Sequence, residues 1–191
     1  LGEKARISEI QFIGNKYFKD RKLKKIITSE VDQFWKFLSK KTYLDSQRID
    51  LDKRLLENYF KDSGFYNVNI LDSFIESKND QTFKIIFNID SGEKFYFNKV
   101  NLILPQDFEP KYFASVKKAS AKLIGKKYSL TRINKILEEV DKVALSKQYE
   151  FIDAVIEEKI IDENKIDFNI SMKETEKFYV EKINILGNQY T

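Results

Sequence analysis

The residues of this chain that could do acid–base chemistry are its carboxylates, because it contains no histidine and no cysteine. The commonest general base near neutral pH, the thiolate nucleophile and the usual transition-metal ligands are therefore all missing. Asp50 with Asp52, and Glu138 with Glu139, are the pairs spaced closely enough to serve as an acid and a base. Acidic residues so near one another in a helical stretch are far more often a solvated face. No Gly-rich phosphate loop, nucleophile elbow or metal-ligand spacing accompanies them. The reading is a chain with no catalytic residue, no metal and no cofactor. A KH-type clamp on a nucleic-acid backbone is the alternative chemistry, since those modules also set two helices beside a small sheet. It needs Gly-x-x-Gly between the helices, and the corresponding Gly125-Lys126-Lys127-Tyr128 lacks the second glycine. With 34 basic and 30 acidic residues the net charge of +4 is spread thinly, and no dense basic stripe marks a nucleic-acid partner.

What remains is the chemistry of the main chain, whose amides and carbonyls act wherever a strand is left unpaired. The sequence contains material for such strands. Ile10-Gln11-Phe12-Ile13-Gly14-Asn15, Val100-Asn101-Leu102-Ile103-Leu104-Pro105 and Ile183-Asn184-Ile185-Leu186-Gly187-Asn188 are three versions of one segment. Each follows a similar opening, Gly2-Glu3-Lys4, Gly92-Glu93-Lys94 or Thr175-Glu176-Lys177, at the same distance. Self-similarity at about 80 to 90 residues means two tandem copies of a small domain and the first strand of a third. The expected boundaries are 1–91, 92–174 and 175–191. Because the chain opens and closes inside repeat-like sequence, it reads as a piece of something longer. A hydrophobic fraction of 42% is enough for a modest core in each copy.

Within a copy the order reads strand, helix, helix, strand, strand. Residues 6–13 form a strand ending in a Gly14-Asn15 turn. A helix is expected over 19–29, with Leu23, Ile26 and Ile27 on one face. Asp45 is the N-cap of a second, in which Ile49, Leu55, Leu56, Tyr59 and Phe60 recur at helical spacing, and Gly64 ends it in the left-handed region. The apolar phase then switches between Ile70 and Leu71, the mark of a bulge. The second copy repeats the plan with helices over 110–123 and from Ser129, and puts Gln148 where the first has Gly64. The fold class is α+β, each copy a three-stranded mixed sheet on two helices. A right-handed crossover makes the first strand parallel to the last, giving the order first, third, second.

The second strand of each copy is then an open edge onto which an extended peptide can add. The residues of these edges are Tyr66, Val68, Ile70 and Asp72 in the first copy, and Phe151, Asp153, Val155 and Glu157 in the second. A possible contact patch is Phe34, Trp35, Phe37 and Leu38, in the long connection between the first pair of helices; large aromatics of this kind are usually packed. Ser91, Gly92 and Glu93, with Glu174, Thr175 and Glu176, join successive copies as short hinges without a flexible spacer.

Three motifs taken together are similar to the POTRA (polypeptide-transport-associated) repeats of the BamA family. They are Ile10-x-Phe12-x-Gly14-Asn15 followed by Leu23-x-x-Ile26, Leu55-Leu56-x-x-Tyr59 running on to Gly64-Phe65, and Gly92-Glu93-x-x-Tyr96-x-x-x-Val100. The segment Phe34-Trp35-Lys36-Phe37-Leu38-Ser39 resembles the second repeat of that family, which makes this chain repeats two and three and the start of four. The resemblance implies a periplasmic arm ahead of a carboxy-terminal outer-membrane barrel, in a Gram-negative bacterium. It implies as partners unfolded outer-membrane proteins, periplasmic chaperones and accessory lipoproteins, with a lipoprotein of the BamB kind on the edge over 151–157. The repeats of a TamA-like or two-partner secretion pore are the related alternative.

Overall fold

A computed structural model describes residues 5–33, 40–79, 81–149 and 152–174. The first unit is built from β1 (Arg6–Ile13), α1 (Asp20–Leu23), α2 (Ser46–Asp62), β2 (Asn69–Asn79) and β3 (Thr82–Asp90). The second follows as β4 (Tyr96–Ile103), α3 (Ala114–Ala121) behind a 3-10 turn at Pro110–Phe113, α4 (Leu130–Ser146), β5 (Ile152–Asp162) and β6 (Lys165–Glu174). The sheets have the orders β1-β3-β2 and β4-β6-β5. In each, the first strand is parallel to the central one and the second antiparallel to it. This is the topology that the crossover rule demands of the element order.

Each sheet has its own apolar core on the helix side. Ile7, Leu56, Phe60, Phe65, Ile85 and Phe87 are fully buried in the first. Phe113, Val116, Ile166, Phe168 and Ile170 are fully buried in the second. The alternation along β3 and β6 sends these side chains inward. The phase switch in β2 is a bulge at Leu71, where the register passes from Ile70 opposite Ile89 to Asp72 opposite Asn88.

The helix caps follow the sequence. Asp45 accepts hydrogen bonds from the amides of Gln47 and Arg48 at the start of α2, and Ser129 accepts one from the amide of Arg132 at the start of α4. Both helices end in the same pair of bonds. At α2 the amides of Phe65 and Gly64 donate to the carbonyls of Phe60 and Lys61; at α4 those of Tyr149 and Gln148 donate to Ala144 and Leu145. The pattern needs a left-handed residue, which is Gly64 at φ +107° in one case and Gln148 at φ +59° in the other.

One helix departs from expectation. Instead of spanning 19–29, α1 is a single turn, and residues 24–28 continue as tight turns. The segment ends against Asp52, a fully buried carboxylate on the inner face of α2. It takes the amide of Thr28 at 2.6 Å, the Thr28 hydroxyl at 2.7 Å and the amide of Ser29 at 3.1 Å, so these two amides bond to a side chain rather than to helix carbonyls.

Candidate functional site: two open edges and the joint between the units

A three-stranded sheet has two edges, so the two sheets of the described residues have four, and the described connections cover one in each sheet. Along β1, the amide of Asp32 donates to the carbonyl of Ile7 at 2.7 Å, that of Leu44 to Ala5 at 2.9 Å, and Arg6 forms an isolated bridge with Tyr43. Along β4, the amide of Gly125 donates to Phe97 at 2.7 Å, Phe97 donates to Lys126 at 2.9 Å, and Tyr128 donates to Phe95 at 2.8 Å. In both units the connection between the helices folds back over the first strand. The basic turn weighed above as a nucleic-acid clamp thus has its backbone engaged in covering β4. Among the described residues no strand pairs with the outer side of β2 or of β5.

The residues expected on these edges are partly relocated. Tyr66 and Val68 precede β2, which starts at Asn69 and runs on to Asn79. Val68 and Ile70 are buried in the first core, so neither side chain is presented outward. Asp72 lies in the strand opposite Asn88. On β5, Val155 pairs with Ser171 and is half-buried, Glu157 pairs with Asn169 and is exposed, and Asp153 pairs with Lys173. Phe151 lies outside the described residues, as do Phe34, Trp35, Phe37 and Leu38 and the joint residues Thr175 and Glu176. Glu174 is the last residue of β6. Among the described side chains of these edges, Leu71 and Ile75 on β2 and Ile160 and Ile161 on β5 are exposed large apolar groups.

Neither acidic pair is assembled as a proton-sharing site. Asp52 is buried against amide and hydroxyl donors while Asp50 is exposed on α2. Glu139 accepts from the Ser115 hydroxyl at 3.4 Å. Among the described residues no cluster of three or more acidic groups is placed to hold a metal ion, and no helix is long and apolar enough to cross a membrane.

The joint between the units is more densely bonded than a short hinge suggests. Gly92 is left-handed at φ +59° and its amide donates to Asp90 Oδ1 at 3.2 Å, while Ser91 is buried and Glu93 exposed. Two residues on, the amide of Phe95 donates to the carbonyl of Gly64 at 2.8 Å. Asp62, the last residue of α2, reaches across to the start of α4. Its Oδ1 accepts from the amide of Thr131 at 2.7 Å and from the Ser129 hydroxyl at 3.2 Å, and its Oδ2 accepts from the Thr131 hydroxyl at 2.6 Å.

Tyr66 fills the remaining gap. Its ring lies 5.5 Å from that of Phe95 and 5.0 Å from that of Tyr128, and its hydroxyl donates to the carboxylate of Glu158 on β5. Burial first, and then the hydrogen bond and charge of Glu158, push the Tyr66 phenol up to about 12. Burial raises Tyr128 as well, with the Glu158 charge adding to it. Beside these contacts the Lys94 ammonium sits 5.6 Å from the centre of the Tyr17 ring and 5.4 Å from that of Phe65. An open cavity of about 350 Å³ crosses the joint between these aromatics and Lys94, Lys127 and Arg132.

The sequence marks Ser91, Gly92 and Glu93 as the joint but not the contacts of Asp62 across it or of Asp52 within the first unit, although each of these two carboxylates leaves a signal. Asp62 is an acid at the C-terminal end of its own helix, where the dipole disfavours it; it belongs to the positive end of the next unit's α4. Asp52 falls on the apolar stripe of Ile49, Leu56 and Phe60, a place where a carboxylate requires a buried partner.

Residues 5–92 match the family model described as POTRA, surface antigen variable number repeat. Over its whole length the chain is 26% identical to the outer membrane protein assembly factor BamA of Neisseria meningitidis serogroup B, covering 24% of that protein. Over 97% of its length it is 22% identical to BamA of Neorickettsia risticii, covering 25% of it. The chain thus spans about a quarter of these relatives. The crystal structure of Haemophilus influenzae BamA POTRA3-5 superposes on 99% of the chain, and on 74% of that structure, with a TM-score of 0.70 at 12% identity. BamA from Haemophilus ducreyi lacking POTRA domains 1-3 superposes on 89% of it, and on 29% of that structure, with a TM-score of 0.61 at 15% identity. At these identities the two structures speak to the fold alone.

Proposed function

We propose, for a chain built of POTRA repeats related to those of BamA, the role of a non-catalytic scaffold segment in outer-membrane protein assembly. It stands on the periplasmic side of the outer membrane and takes up extended segments of unfolded outer-membrane proteins by strand addition at β2 and β5. The observation that supports this is the asymmetry of the edges: the helix connections cover β1 in the first unit and β4 in the second, whereas among the described residues no strand pairs with the outer side of β2 or β5. Main-chain hydrogen bonds to such an edge are indifferent to the client's sequence, which suits a receptor for many unfolded chains.

The same reading places an accessory lipoprotein of the BamB kind on β5, with periplasmic chaperones delivering the clients. It takes the chain as repeats two and three over 1–91 and 92–174, followed by the first strand of the fourth. Phe34, Trp35, Phe37 and Leu38 form a further contact patch of the first repeat.

Successive amides of an antiparallel edge strand alternate between the ladder and the outside. Of Val155→Pro and Ile156→Pro, only one therefore removes a ladder bond, and circular dichroism identifies the other as the variant that keeps the fold. That variant is expected to bind an extended, alternating peptide about tenfold more weakly than the threonine variant at the same position, as the loss of about one hydrogen bond and its neighbours implies. Equal affinity of the two in a fluorescence anisotropy titration would exclude β5 as the docking edge.

A further inference from the structure

The two open edges run in the same direction along the molecule. β2 leaves the joint: Asn69 pairs with Asp90 at the joint end, and Asn79 pairs with Thr82 at the far end. β5 approaches it: Ile152 pairs with Glu174 at the far end, and Asp162 pairs with Lys165, the partner of Tyr96, beside the joint. Tyr66 brings the two together, since its hydroxyl is bonded to Glu158 on β5 and its backbone lies three residues before Asn69. Three extended residues span about 10 Å. The Asp62 contacts with Ser129 and Thr131 hold the two units in this relation.

Resting on the strand-addition reading above, we infer that β2 and β5 form one composite edge, to which a single extended polypeptide segment adds without reversing direction. Each strand is 11 residues long, so a segment of about 25 residues covers both with a short bridge across the joint. Exposed Leu71, Ile75, Ile160 and Ile161 and the carboxylate of Glu157 line its path. The partner they fit alternates apolar and basic side chains. Once one strand is bound, the other meets its segment at an effective concentration near the millimolar range, so affinity rises without new contacts.

The test titrates the whole chain with fluorescent peptides. One is a single block of about ten alternating valine and lysine residues; the other joins two such blocks through about five Gly/Ser residues, enough to cross the joint. The joined peptide is expected to bind at least about tenfold more tightly than the single block. That gain is lost in the fold-preserving proline variant of β5, and in Asp62→Ala combined with Tyr66→Ala, while the single block still binds β2. Equal affinity of the joined and single peptides overturns the composite edge and leaves addition at separate edges intact. Failure of both peptides to bind overturns the edge reading and the composite edge with it.

Discussion

Asp52 and Asp62 sit on one helix and do opposite work: the first holds the inside of its own unit, the second grips the next. Asp52 is fully buried, and its carboxylate is compensated by hydrogen bonds from the Thr28 and Ser29 amides and the Thr28 hydroxyl. Asp52→Ala strands those donors in an apolar setting and is expected to cost about 3 kcal/mol. Urea unfolding followed by far-UV circular dichroism measures this, and a loss below about 1 kcal/mol would mean that the bonds contribute little net stability. The sequence makes Asp45 and Ser129 legible as caps because a cap is a local pattern. Asp52 and Asp62 are not legible in that way, since their partners lie 24 and 69 residues away and only the folded chain brings them near.

At the scale of elements, strand order and direction follow from the alternation of strands and helices together with the handedness of the crossover, and the bulge at Leu71 shows as a slip in the apolar phase. The closing of β1 and β4 was invisible, because it is done by connections without periodicity, such as residues 125–128. The shortness of α1 was hidden because Leu23, Ile26 and Ile27 keep helical spacing, while the amides of Thr28 and Ser29 bond to the distant carboxylate of Asp52. The end of α4 was readable by comparing copies, since Gln148 replaces the glycine of the first unit and adopts the same left-handed backbone. Gln148→Gly is therefore expected to stabilise the second unit by up to about 1 kcal/mol. A melting curve of that variant that is unchanged or lowered would contradict the strain assigned to this residue.

For the molecule as a whole, the joint determines whether two sheets act singly or together, and Tyr66 makes it sensitive to alkali. Its phenol has an ordinary value of 10.0 when unfolded and is raised to about 12 in place. The folded state thus keeps its proton where the unfolded chain loses it, so this stabilisation is complete below pH 10 and is lost as pH rises through about 12. Tyr66→Phe is expected to flatten the fall of melting temperature across that window, leaving the slope that Tyr128 contributes; parallel profiles for the two proteins would remove Tyr66 from the account. The central claim, that β2 and β5 are the receptive edges, is tested most directly by amide hydrogen exchange of the whole chain with and without an extended client peptide. Protection of alternate amides along β2 and β5, with β1 and β4 unchanged, is the predicted result. Protection confined to the helices, or none along either strand at saturating peptide, would contradict it.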